Sequence, residues 1–253
     1  MPRTQMTTHP QRLRSWWQMA FLALLAAGTL GLAGCDNQSA SQSTSAPQTT
    51  ETAPATAPAF TPPPQPEAPQ RPLILFLGDS LTAGLGLESH QAYPALIQQR
   101  LDDAGYDYEV ANGGISGDTT SGGRSRMNWM LRQPVDIFVV ALGSNDGLRG
   151  VGVEVIESNL EAIITQAQKS GATVVLAGAM LPTNFGEIYR TRFADIYPRL
   201  AQKMNLAFIP FLLEGVAGER HLNQRDGIHP NVEGAKILAE NVWLVLEPLL
   251  KKN

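Results

Sequence analysis

A serine hydroxyl, an imidazole and a carboxylate together make a covalent hydrolytic centre, and this 253-residue chain offers all three at informative spacings. Ser80 lies in Gly78-Asp79-Ser80-Leu81, directly behind the apolar run Leu73-Ile74-Leu75-Phe76-Leu77. Asp226 and His229 stand three residues apart in Asp226-Gly227-Ile228-His229-Pro230, close enough to share one loop. A serine hydroxyl attacks well only when a neighbouring imidazole takes its proton, and a carboxylate beside that imidazole fixes its tautomer and stabilises the imidazolium. Ser80 and His229 are 149 positions apart, so folding must assemble any site they share.

Taken singly, each group has a commoner role. Serine after a strand usually caps a helix, Asn145 alone is a turn residue, and His229 before Pro230 could be an ordinary loop histidine. Asp79 is expected to hydrogen-bond the surrounding loops. Asp226 and His229 could ligate a metal, but His9, His90 and His221 are isolated and no cysteine cluster joins them. Asp118 and Asp146 keep a metal-assisted phosphoesterase among the alternatives. No metal and no cofactor is expected.

These groups have to be held by a scaffold. Leu73 to Leu77, Tyr108 to Ala111, Ile137 to Leu142, Thr173 to Ala177 and Leu206 to Ile209 read as five strands. The run Ile137-Phe138-Val139-Val140-Ala141-Leu142 is apolar without alternation, as for a strand covered on both faces. Between the strands, Ile156, Leu160, Ile163, Ile164 and Ala167 recur at helical spacing, as do Ala235, Leu238, Val242, Val245, Leu246 and Leu249 near the end. Strands alternating with helices predict an α/β fold, a parallel five-stranded sheet between two helical layers in an α/β/α sandwich. Ligands of such sheets gather beyond the carboxyl ends of the strands. Ser80, the segment Asn112 to Asp118, Gly143-Ser144-Asn145-Asp146 and the Asp226–His229 loop all follow strands, so they should converge on one edge.

Four blocks in this order, Gly78-Asp79-Ser80-Leu81, Ser116-Gly117-Asp118, Gly143-Ser144-Asn145-Asp146 and Asp226-Gly227-Ile228-His229, resemble those of the SGNH, or GDSL, hydrolases. The likeness is closest to the bacterial thioesterase I/protease I/lysophospholipase L1 group and related arylesterases. It extends from Leu73 to Asn253 and includes Leu181-Pro182-Thr183-Asn184-Phe185-Gly186. The resemblance implies a flavodoxin-like fold, Ser80 as nucleophile, His229 as general base and then acid, and Asp226 as its orienting carboxylate. It implies an oxyanion hole made by the N–H groups of Ser80 and Gly117 and the amide of Asn145. Ser144 departs from the pattern, standing where the closest relatives usually have a second glycine. Thr82 stands where the Gly-x-Ser-x-Gly elbow of α/β-hydrolases has its second glycine, so the lipase-type elbow is not indicated.

The N-terminal part reads as an address. Arg3, Arg12 and Arg14 precede an apolar stretch from Met19 to Ala33, which ends in Leu32-Ala33-Gly34-Cys35. Residues 1–34 are expected to be a signal peptide, and the tetrapeptide resembles a bacterial lipobox with Cys35 as the lipidated residue. Asp36 directly after it would, by the same resemblance, favour the inner membrane. Residues 35–72 hold nine of the 18 prolines with much Ser, Thr and Ala, a composition that buries too little to fold and is expected to form a tether. One cysteine excludes an intramolecular disulfide, and a net charge of −4 gives no nucleic-acid footprint. The expected protein is a monomeric catalytic domain over 73–253, anchored to the cell envelope and facing the periplasm. The implied substrates are aryl esters, short to medium acyl esters, lysophospholipids and thioesters, with Met180 to Tyr189, including Phe185 and Ile188, as candidate walls of an acyl groove. The alternatives are an O-acetylesterase of envelope polysaccharide and a non-catalytic acyl- or glycan-binding lipoprotein.

Overall fold

The structure is a computed structural model that describes residues 71–252. The expected leader, Cys35, Asp36 and nearly all of the tether lie outside the described residues. From Leu73 onward, strands and helices alternate in chain order: β1 (Leu73–Gly78), α1 (Ser80–Ala83), α2 (Tyr93–Asp103), β2 (Glu109–Gly114), α3 (Thr120–Met130), β3 (Ile137–Ala141) and α4 (Ser144–Leu148). They continue as α5 (Val153–Lys169), β4 (Thr173–Ala177), α6 (Glu187–Ala194), α7 (Ile196–Met204), β5 (Ala207–Ile209) and α8 (Val232–Leu246).

All neighbouring strands pair in parallel, in the order β2-β1-β3-β4-β5. Because side chains alternate across a strand, each strand feeds two cores. Leu75, Leu77, Phe138, Val140, Val174 and Leu176 meet Met127 of α3, Ile156 and Ile163 of α5, and Tyr197 and Leu200 of α7. Ile74, Phe76, Val139, Val175 and Ile209 face the other way, toward Tyr93 and Ile97 of α2 and Leu238, Val242 and Trp243 of α8. Strands β1 and β3 are buried along their whole length, which explains their unbroken apolar runs.

The expected five-stranded parallel sheet with helices on both faces is found. Strand β2 differs from the expected Tyr108 to Ala111: it begins one residue later and runs on through Asn112-Gly113-Gly114, pairing with Phe76, Leu77 and Gly78. Two glycines and an asparagine read locally as a loop, but the neighbouring backbone of β1 supplies their partners. The order places the switch point between β1 and β3, where the chain leaves toward opposite sides of the sheet. That divergence opens a crevice at the carboxyl ends.

Candidate active site

Ser80 is the first residue of α1 and follows β1 by one residue. Asp79 caps that helix, its carboxylate accepting the Leu81 N–H at 3.1 Å. The hydroxyl of Ser80 therefore sits at the rim of the crevice on a backbone fixed by its own neighbour.

The opposite partner comes from the turn before α8. Asp226 Oδ1 accepts the N–H groups of Ile228 at 2.9 Å and His229 at 3.0 Å, which folds the Asp-x-x-His segment around one carboxylate. Asp226 Oδ2 lies 2.7 Å from His229 Nδ1, and His229 Nε2 lies 2.9 Å from Ser80 Oγ. A proton on Nδ1, held by the carboxylate, leaves Nε2 as the acceptor for the hydroxyl proton. Backbone N–H donors, then the imidazole, hold the Asp226 carboxyl down at about 2. It is thus an anion at neutral pH although its side chain is 44 % exposed.

The other side of the hydroxyl is built by the segments after β2 and β3. Gly117 has φ +80°, and neither its N–H nor that of Ser80 is spent on a hydrogen bond among the described residues. Gly143 adopts φ +118°, and a Cβ there would fall 2.3 Å from Tyr197 Oη, so the turn into α4 accepts only glycine. Ser144, the departure from the family pattern, simply opens α4. Asn145 follows and donates from Nδ2 to Asp79 Oδ2 at 3.3 Å. Asp79 is 2 % exposed, and burial pushes its carboxyl up to about 6.

A chain of hydroxyl, imidazole and carboxylate beside unspent N–H donors has the parts for acyl transfer: one group attacks a carbonyl, one carries its proton, and the amides receive the developing oxyanion. The GDSL-like lipase/acylhydrolase family matches residues 76–237, which span every segment just described. The chain belongs to this family. It is 44% identical over 178 residues to the esterase TesA of Pseudomonas aeruginosa, covering 70% of this chain and 89% of the relative. It is 36% identical over 178 residues to thioesterase 1/protease 1/lysophospholipase L1 of Escherichia coli K12, covering 70% and 84%. A crystal structure of TesA superposes with a TM-score of 0.69 at 44% identity, covering 70% of this chain and 99% of that one. The protein is accordingly a serine hydrolase acting on esters.

Other residues expected to matter fall elsewhere. Asp118 pairs with Arg126 at 2.9 Å, and Asp146 accepts from the Thr120 N–H at 2.8 Å and its hydroxyl at 2.7 Å, so both are committed to holding loops. His90 and His221 are exposed beside Glu88 and Glu219. Of the proposed groove segment, Met180 lines a hollow of about 20 Å³ with Asp79, Leu81, Ser144 and Phe211. Phe185 instead packs, partly buried, against the core on the α3, α5 and α7 side of the sheet, and Ile188 is 80 % exposed.

Three supports were not read from the sequence. Gln224 donates to the carbonyls of Leu85 and Pro230 at 2.7 and 2.9 Å, tying the His229 loop to the chain after α1. Arg126 donates to the carbonyls of Gly113 at 2.6 Å and Gly78 at 3.3 Å, joining the ends of β2 and β1. Arg149 donates to the Gly117 carbonyl at 3.1 Å. Long side chains reach across loops that are distant in sequence, and no local spacing signals them.

Proposed function

We propose that the protein is an envelope-anchored esterase of lysophospholipids and of short to medium acyl esters, with Ser80, His229 and Asp226 as its catalytic residues. The single observation that carries this reading is the unbroken chain from Ser80 Oγ through both nitrogens of His229 to Asp226, at 2.9 and 2.7 Å. In the first half-reaction Ser80 Oγ bonds to the acyl carbon while its proton passes to His229 Nε2. The N–H groups of Ser80 and Gly117 and the Nδ2 of Asn145 hold the oxyanion. Collapse expels the alcohol, which takes the proton back from His229. Water then repeats the sequence on the acyl-enzyme and releases the acid.

The location rests on residues 1–72: the apolar leader, the Leu32-Ala33-Gly34-Cys35 lipobox and the proline-rich tether. A cell-envelope enzyme meets lysophospholipids, whereas acyl-CoA thioesters are cytosolic, so the lipid ester is the favoured physiological class. Wild type and Ser80→Ala are to be compared on p-nitrophenyl esters from acetate to palmitate and on a lysophospholipid, with chelator present. We expect turnover that peaks at short or medium chains, persists in chelator and disappears from every substrate in the variant. Normal turnover by Ser80→Ala would reassign the nucleophile. For the anchor, Cys35→Ser should release the protein from the membrane fraction; unchanged fractionation and processing would remove that part of the reading.

A further inference from the structure

Arg126 carries a charge into the interior close to the reacting serine, and the mechanism above gives it no task. It stands on α3, which a glycine brings close to the sheet: a Cβ at Gly123 would fall 2.3 Å from Leu142 Cδ1. Its guanidinium is spent on partners from other segments. Nε donates to Asp118 Oδ2 at 3.0 Å, and Nη2 lies 2.9 Å from the same oxygen. Nη1 donates to the Gly113 carbonyl at 2.6 Å and Nη2 to the Gly78 carbonyl at 3.3 Å. The side chains of Arg126 and Asp118 are only 15 % and 10 % exposed, so each charge is costly to leave unpaired.

These partners flank the two backbone donors of the site. Gly78 ends β1, two residues before Ser80. Asp118 closes a four-residue turn, its N–H bonded to the Ile115 carbonyl at 3.0 Å, with Gly117 third in that turn at φ +80°. The near end of the turn hangs from β1, because the Ile115 N–H donates to the Gly78 carbonyl at 3.0 Å. The Gly78 carbonyl thus receives both the start of the turn and the guanidinium that grips its far end. Ser80 and Gly117 are 37 positions apart, yet their N–H groups must converge on one oxygen. One rigid fork touches the segments that bear them both.

We propose that Arg126 is a positioning residue that sets the spacing between the Ser80 and Gly117 N–H groups by tying the Ile115–Asp118 turn to the end of β1. This rests on the reading of those N–H groups as oxyanion donors, and it assigns Arg126 no contact with substrate. Arginine suits the task because its planar fork holds a carboxylate and two carbonyls at once in fixed directions, whereas an ammonium is a single point charge on a flexible stem. Arg149 also bonds the turn, through an exposed contact with the Gly117 carbonyl, but of the two only Arg126 bonds to β1 among the described residues.

Arg126→Lys keeps the charge and loses the fork. The expected loss is about 10- to 100-fold in kcat with little change in KM, because a displaced donor is missed chiefly in the transition state. A variant that is merely less stable would also lower kcat, by thinning the active population, but would leave the affinity of the remaining enzyme unchanged. An alkyl trifluoromethyl ketone separates the two. Ser80 Oγ bonds to the ketone carbon, its proton passes to His229 Nε2, and the carbonyl oxygen becomes an oxyanion facing the same N–H groups. Its inhibition constant should rise by about the factor by which kcat/KM falls. Asp118→Asn should act in the same direction, by about 3- to 10-fold, and add little to Arg126→Lys.

An Arg126→Lys enzyme with wild-type kcat, a fall in kcat with ketone affinity unchanged, or losses that multiply when Asp118→Asn is added would each overturn the inference while leaving Ser80 as nucleophile. Turnover by Ser80→Ala, with no ketone adduct in the wild type, would remove the catalytic reading and this inference together. Should Arg126→Lys fail to fold, Asp118→Asn carries the same two measurements, with the same outcomes deciding.

Discussion

Asp226 and Asp79 flank the segment and loop around Ser80, one bonded to His229 and the other to Asn145, yet the fold treats their carboxyls in opposite ways. Asp226 is half-exposed, gathers two backbone N–H donors and an imidazole, and is held at about 2. Asp79 is buried with two donors and is pushed up to about 6. The difference shows that hydrogen bonding to the charged form wins where water is near, and desolvation wins where it is not. In the proposed mechanism the acid beside the imidazole must stay ionised while positive charge comes and goes on His229, whereas Asp79 takes no part in that proton transfer.

The comparison is most severely tested by neutralising each acid in turn. Asp226→Asn should lower kcat on the order of 10⁴-fold, because the amide no longer demands the Nδ1–H tautomer. Asp79→Asn should cost far less, and steady-state kinetics on one p-nitrophenyl ester measures both. Equal losses would mean that the two carboxyls are not specialised as described. The donor itself stands between them: Asn145→Ala should cost about 100- to 1,000-fold in kcat, and near-normal activity would reassign Asn145 to structure.

A smaller effect separates the two acids by stability. The depressed carboxyl of Asp226 adds stability that is present above its unfolded value near 3.8 and is lost as pH falls toward 2. For Asp79 the sign is reversed. Its raised carboxyl leaves stability undiminished below pH 3.8, and the cost of ionising a buried group grows as pH climbs to about 6 and is complete above that. Asp79→Asn removes that cost, so its Tm relative to wild type should improve from pH 4 to pH 8 in thermal unfolding followed by circular dichroism. A Tm difference that does not change with pH would show that the Asp79 carboxyl does not ionise across this range. Gly143→Ala sharpens the same point without touching either acid. Its φ of +118° and the 2.3 Å approach to Tyr197 Oη predict a loss of about 2 kcal/mol in denaturant unfolding, together with a fall in kcat as Asn145 is displaced.

The groups expected to react were legible because each lies in a short contiguous block whose chemistry is local. Ser80 after an apolar strand, and Asp226 with His229 three residues later, need no knowledge of the fold to be noticed. The long stripes of α5 and α8 were legible as well, since 17 and 15 residues give a helical period room to repeat. Short α1 and α4 and the weakly amphipathic α3 and α6 were not, because their stability comes from packing against the sheet and not from their own pattern. Strand β2 was read too short for a related reason: Asn112-Gly113-Gly114 is strand only because β1 lies beside it.

The residues themselves determined which chemistry was possible, because a nucleophile, a base, an acid and candidate amide donors are properties of side-chain type and order along the chain. Tertiary structure alone decided how those groups are used. The β2-β1-β3 order opens the crevice at β1, and Arg126, Arg149 and Gln224 reach across distant loops to hold it. The ionisation of each carboxyl depends on how much water the packed chain leaves around it, which is a sum over neighbours drawn from the whole domain. No segment carries that information by itself, and so Asp79 and Asp226, the same residue type, are shifted in opposite directions only when the protein folds.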